Sequence, residues 1–460
     1  MSREQIMALS KQIMSMTSVD IVNVFITHTA RVVTRIANDR ILSGDDGDEL
    51  EISLRTIAGG RQEVRVETNQ LDETMLRDLV QQCERLARAQ EGSEEEVMHV
   101  PLTQDEYLPV ELWHASTVQA MSTMRDTVVP ALIAGITKAG LRAAGFVGCM
   151  ARAHAVLTKE GIHAFCDETD SEVTATARGL DGKSSGWGGQ AERDWSKIDP
   201  GKIAGDAARI ALMSKNMQAF EPGRRTAILG PAAVAQLARF FSFEFDAKGT
   251  DLGETGFSKS PRGGNKLRQR VFDPRIQMSS DPADPDGGYK NFFWSGLANK
   301  KMTWIADGVL KNLAYDSLYA MAKGKEYCEA PYSLRIAGGT TSIEQMIAQC
   351  QEGIYVNRFS SVDLLDKRTG MMTGVTRDGC FLVRNGKIDR AVKNFRFRES
   401  PFFILNKLVA LGPSVRAPFG YTLPSRKYEQ PDEMPWPRPP MIVPSMMVND
   451  FNFSSLADAV

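Results

Sequence analysis

Three runs near the start of the chain, DIVNVFIT (20–27), ARVVTRIA (30–37) and ELEISLRTI (49–57), alternate apolar and polar residues. Successive strand side chains point to opposite faces, so this period fits strands buried on one side and does not fit the 3.6-residue repeat of a helix. The pattern then changes. In LDETMLRDLVQQCERLARAQ, Met75, Leu76, Leu79, Val80, Cys83 and Leu86 recur at helical spacing, and Asp72 is placed to cap the first turn. A chain that begins this way lays a helix across an antiparallel sheet. A second helix is expected over about 114–140 and more strand over 145–180. The glycine-rich GLDGKSSGWGGQAERDW (179–195) reads as a loop, and Asp199 with Pro200 as the N-cap and first residue of another helix.

EPGRR (221–225) interrupts this order and marks a boundary. Beyond it, TAILG is a short strand, QLARFFSFEFDAKG (236–249) a helix-like run, and KKMTWIADGVLKNLAYD a hairpin turning at Asp307 and Gly308. GCFLVRNGKIDRAVKNFRF repeats the device at Asn385 and Gly386. TTSIEQMIAQC is a short helix in which Thr341 and Glu344 have capping-box spacing. After residue 413 prolines accumulate, and PDEMPWPRPPMIVP reads as an extended arm. The expected fold class is α+β in two domains. Residues 1–220 form a mixed sheet-and-helix unit, 221–412 a unit dominated by antiparallel sheet, and 413–460 a proline-rich extension.

Charge narrows the function. Lys and Arg number 55 against 57 Asp and Glu in 460 residues. A near-neutral chain offers no electrostatic footprint for nucleic acid or an anionic membrane. The N-terminal MSREQIMALSKQIMSMTSVD lacks the unbroken apolar segment of a signal peptide, and no run reaches membrane-spanning length, so a cytoplasmic location is expected. Six cysteines without CxxC pairs fit reduced thiols.

His163 and Cys166 offer half of a metal site, without a second pair to complete it. DPADPDGG (281–288) lacks the alternation and closing glutamate of a calcium loop. GGTTS (338–342) has no phosphate-loop lysine. Cys380 lacks a histidine base nearby in sequence, since no histidine follows His163. SKSPRGGNKLRQR (258–270) gathers Arg262, Lys266 and Arg268, which could receive a peptide carboxylate or remain a solvated loop.

RVFDPRIQMSSDPAD, the IADGVLKNLAYD hairpin, GGTTSIEQMIAQCQEGIYVNRF, DKRTGMMTGVTRDGCFLVRNGKIDRAVKNFRF and ILNKLVALG follow one another across 225–412. In this order they resemble the TldD/PmbA family of two-subunit, metallopeptidase-like proteins, and the N-terminal pattern resembles it more loosely. In the TldD branch a helix at the position of 236–249 carries HExxxH, whose histidines hold zinc and whose glutamate activates water, and a late cysteine adds a ligand. Here either RFFSFE (239–244) or FEFDAK (243–248) occupies the motif, without histidine, and PSVRAPFGYTLPSRK after ILNKLVALG has no cysteine.

The chain is therefore similar to the PmbA branch, also called TldE, the metal-free partner of a zinc-bearing TldD subunit. The resemblance implies no cofactor here, zinc only in the partner, and unfolded or modified peptides as substrate. Phe240, Phe241, Phe243 and Phe245 are expected to pack where ligands would otherwise face a cavity. Glu244 and Asp246 are candidates to line a peptide channel. A homodimer is expected when the chain is alone, with Trp436, Met441, Met446 and Met447 of the arm as apolar anchors. Two alternatives stand beside this reading: a metal-independent hydrolase using Glu244 and Asp246, and a self-associating scaffold. The family's association with DNA gyrase gains nothing from so neutral a composition.

Overall fold

The computed structural model describes residues 1–19, 21–57, 63–89, 106–293, 295–419 and 439–457. Its first sheet has the order β3, β2, β1, β4, β5, β6, antiparallel throughout. The elements are α1 (Arg3–Met16), β1 (Ile21–Ala37), β2 (Arg40–Ile57), β3 (Glu63–Thr68), α2 (Glu73–Ala89), α3 (Ala115–Thr137), β4 (Arg142–Thr158), β5 (His163–Arg178), β6 (Ser185–Glu192) and α4 (Pro200–Met213). The first two alternating runs are one strand, β1, bent by a register shift at Arg35 and Ile36. Asp72 accepts from Met75 N–H, and Asp199 caps α4 with Pro200 at its first position.

All four helices lie on one face of this sheet. Val22, Val24, Ile26 and Leu54 pack under α1 and α2, while Val147, Cys149, Val173 and Ala175 pack under α3 and α4. Residues of opposite parity, Phe25, Val156 and Cys166, meet Phe292 of the second half. Ser185–Glu192 of the glycine-rich stretch expected as a loop form β6. A Cβ at Gly186 would lie 2.2 Å from Ala211 N, and one at Gly188 would lie 2.6 Å from Ile203 O, so these glycines let α4 press onto the strand.

The second half contributes β7 (Gly223–Leu229), α5 (Pro231–Ala238), α6 (Phe241–Glu244), α7 (Ala247–Leu252), β8 (Ser258–Ser260), β9 (Gly263–Asn265), β10 (Met278–Ser280), β11 (Met302–Ala306) and β12 (Val309–Leu310). There follow α8 (Ser317–Lys323), β13 (Leu334–Ile336), α9 (Ile343–Gln349), β14 (Glu352–Asp366), β15 (Met371–Arg384), β16 (Lys387–Ala391), β17 (Phe395–Glu399), α10 (Pro401–Ile404), β18 (Leu408–Arg416) and β19 (Met441–Leu456). The sheet runs β12, β11, β10, β13, β19, β17, β15, β14, β7, and β19 also pairs with β7. Five strands thus close on themselves. Pairing is mostly antiparallel, with β7–β14 and β13–β19 parallel, so the architecture is the expected α+β. The turns have the positive φ their residues favour, at Asp307 (51°), Gly308 (69°), Asn385 (48°) and Gly386 (75°). The capping box of α9 is formed by Ser342 and Gln345, one residue beyond the expected Thr341 and Glu344.

The reading of 413–460 as an extended arm is corrected for Met441–Leu456, while residues 420–438 of that stretch lie outside the described residues. Met441–Leu456 is the strand at which β7, β13, β17 and β18 meet, and Met441, Met446 and Met447 are buried in it. Pro444 is tolerated beside a register shift opposite Leu411 and Ser414. These methionines are therefore unavailable as exposed anchors, and Trp436 lies outside the described residues.

The halves are joined through β5. Glu168, Asp170 and Glu172 alternate along the strand, share its second-half face and are all buried. Arg416 pairs with Asp170, Phe419 N–H donates to Glu172 at 3.1 Å, and Arg193, which donates to Glu168 at 3.2 Å, also donates to Gly288 O of the second half.

Candidate functional site

Pro231 begins α5, which is buried along its length. The four phenylalanines that follow cannot share one side of a helix, and the chain breaks instead of continuing. The turn α6 ends at Glu244, and Asp246 caps α7 by accepting from Lys248 and Gly249 N–H. Phe240, Phe241 and Phe245 go inward, Phe245 lying 4.9 Å from Trp304 and 5.1 Å from Phe257 between ring centroids. Phe243 is 58% exposed, which corrects the expectation that all four pack inside.

Phe243 stands between two cavities. One, of about 340 Å³, is lined by Phe240, Glu244, Asp246, Glu254, Thr255 and Lys367 among others. The other, of about 240 Å³, is lined by Arg239, Ser242, Lys290, Glu329, Tyr332 and apolar residues that include Phe419 and Met441.

Glu244 is buried, and its Oε2 accepts from Gly256 N–H at 2.7 Å. Burial, with the charge of Asp366 adding to it, raises its pKa to about 7. Lys266 Nζ donates to Gly256 O at 2.9 Å, and burial lowers its pKa. The fold therefore brings Glu244 and Lys266 to opposite ends of one residue. Asp246 is exposed and occupied as a cap. Arg262, in the β8–β9 turn, and Arg268, at φ 63°, are exposed and stand apart from the Glu244 cavity lining. His163 and Cys166, three apart on β5, fall on opposite faces and cannot share a ligand. Burial holds the Cys166 and Cys380 thiols at about 12, so neither is a nucleophile near neutrality.

Sequence reasoning missed the second cavity and the charges behind it. Lys290 is buried and its pKa falls to about 8 because burial disfavours the ammonium, while Glu168 and Glu329 oppose the shift. His154, 3.5 Å from Glu168, is lowered to about 4, mainly by burial. Burial alone would raise Glu168, but the His154 hydrogen bond and the Arg193 charge hold it below the usual carboxylate range. The readable signal was DETDSE (167–172), in which acids at every second position of a strand demand cations from whatever covers that face.

The model of the PmbA/TldA metallopeptidase C-terminal domain matches residues 222–455. The chain belongs to the TldD/PmbA family. TldE from Thermococcus kodakarensis superposes with a TM-score of 0.81, at 16% identity over 97% of this chain and 99% of that one. Proteins described as modulators of DNA gyrase, from Thermotoga maritima (TM-score 0.79, 98% of each chain) and Bacteroides thetaiotaomicron (0.79, 99% and 100%), are also 16% identical. At that identity the likeness is one of fold. No curated protein matches the chain.

The family's metallopeptidase description implies a metal, and the donors beside the broken run 239–248 do not fit one. Arg239 and Lys290 are cationic, and Glu329 accepts a hydrogen bond from Tyr327. Among the described residues no group of three or more His, Cys, Asp or Glu is arranged to hold an ion. None of the described helices is long and apolar enough to cross a membrane.

Proposed function

We propose that this chain is a TldE-like, non-catalytic subunit of a cytoplasmic TldD/PmbA-type peptidase, handling unfolded or modified peptides for a zinc-bearing partner and holding no catalytic zinc itself. The observation that carries the reading is the run 239–248. Where the TldD branch has a helix with HExxxH, this chain has one broken turn that presents Arg239, Ser242 and Phe243 to a cavity. The guanidinium and the hydroxyl, with Lys290 in the same lining, bind anions and carbonyl oxygens; they do not hold zinc.

Co-purification from the native cell tests the pairing. Capture of the full chain should bring with it a relative carrying HExxxH, with zinc near one per complex and none per isolated chain. Tightly held zinc in the dialysed chain alone would sink the reading.

One observation favours a second reading. A glutamate with a pKa near 7 on a cleft has the value a general base needs, so Glu244 keeps a metal-independent hydrolase in view. Its companion Asp246 is spent on a cap. Peptide hydrolysis by the rigorously metal-free chain, lost in Glu244→Gln, would establish that alternative.

A further inference from the structure

We infer that the cavity of about 240 Å³ beside Arg239 and Lys290 is a subsite for the C-terminal carboxylate of a peptide whose last side chain is apolar. The inference rests on the peptide-handling reading above and names the end of the peptide that this chain holds.

Arg239, from the end of α5, and Lys290, from the segment between β10 and β11, line the same cavity, and both side chains are buried. A buried cation is stabilised by an anion far more than an exposed one, because little solvent screens the pair. Arg239 Nη2 donates to Val362 O at 3.2 Å, which fixes the guanidinium in place, and its plane lies over Phe240. Between these cations in sequence, Ser242 lines the same cavity. Its Oγ is buried and makes no hydrogen bond with the protein. A buried hydroxyl left unpaired is a cost to the fold, and an oxygen supplied by a ligand relieves it.

The remaining lining selects what is attached to that oxygen. Phe243, Phe419 and Met441 are apolar, which suits a hydrocarbon or aromatic side chain next to the carboxylate. Glu329 is the acidic lining residue among those described. It accepts from Tyr327 Oη, and burial raises its pKa, so it opposes an incoming carboxylate less than an ordinary glutamate does. The volume is below the ~300–1,000 Å³ of sites that enclose a whole drug-sized ligand, and fits one terminal residue.

Calorimetry on the full chain tests this with alanyl-alanyl-phenylalanine as free acid and as C-terminal amide, and with inorganic phosphate as the competing anion. The free acid should bind at least tenfold more tightly than the amide, and phosphate should displace it only weakly. Lys290→Met should reduce the acid-over-amide preference to near unity. Ser242→Ala, which removes only an unbonded hydroxyl, should reduce it severalfold and keeps the test open if the lysine variant fails to fold. Equal binding of acid and amide would overturn the carboxylate inference and leave peptide handling intact. Phosphate binding as tightly as the free acid would do the same, by making this a general anion site. Binding of neither peptide, together with no effect of the chain on a partner's hydrolysis, would defeat both readings.

Discussion

Glu244→Gln should stabilise the protein above neutrality and change little in acid. The folded chain holds this carboxyl at about 7 against the ordinary 4.5, chiefly through burial, so the fold binds the proton more tightly than the unfolded chain does. The resulting stabilisation is fully present below about 4.5 and is lost as the pH rises through about 7. At about 1.4 kcal/mol per pH unit, the gap between those values corresponds to about 3 kcal/mol. Glutamine keeps an oxygen to accept from Gly256 N–H and has no charge to bury. Loss of the charge-assisted character of that bond offsets the gain by about 1 kcal/mol. Net stabilisation at pH 8 should therefore be about 2 kcal/mol, a rise in Tm of about 4–8 °C for a cooperative unit the size of the C-terminal half. Denaturant unfolding of wild type and variant at pH 5 and pH 8 measures it. Parallel behaviour, with the same difference at both pH values, would refute the assignment of a buried, proton-binding Glu244.

Three further outcomes can be measured. Gly256→Ala places a Cβ 2.2 Å from Phe402 Cε2, and that ring is wedged against Phe241, Phe257 and Phe272, so the variant should lose about 1–3 kcal/mol in urea unfolding. The full-length chain alone should run as a homodimer in light scattering at micromolar concentration, burying at least ~1,200 Å²; a monomer would defeat the assembly claim. Truncation near residue 425 cannot isolate an arm, because it deletes β19 and should unfold the second half.

What the sequence made legible was local. Asp307–Gly308 and Asn385–Gly386 are turns because their residues accept positive φ, and Asp199–Pro200 starts a helix through its own side chain and ring. What escaped depended on a distant neighbour. Gly186 and Gly188 resemble loop residues until α4 is seen against them. Met441–Val448 follows a proline cluster, yet MIVPSMMV is apolar at every position except Ser445, the mark of a strand covered on both faces. Glu244 does line a cavity, but its burial arises from the break after α6 and the return of Gly256, which the sequence around it does not show. The basic residues of 258–270 form one charge cluster in sequence, but of Arg262, Lys266 and Arg268 only Lys266 turns inward, donating to Gly256 O. The cavity assigned to the peptide carboxylate joins Arg239, Lys290, Glu329 and Phe419, which no short window of sequence contains.

The central claim is that this chain handles peptide and leaves the chemistry to a partner. Its most direct test is hydrolysis of a short unstructured peptide by the purified chain alone, by an HExxxH-bearing relative from the same cell alone, and by the two mixed, each with and without a zinc chelator. The account predicts no turnover by this chain, strong turnover by the mixture, and loss of that turnover on chelation. Turnover by this chain alone that survives chelation would contradict it.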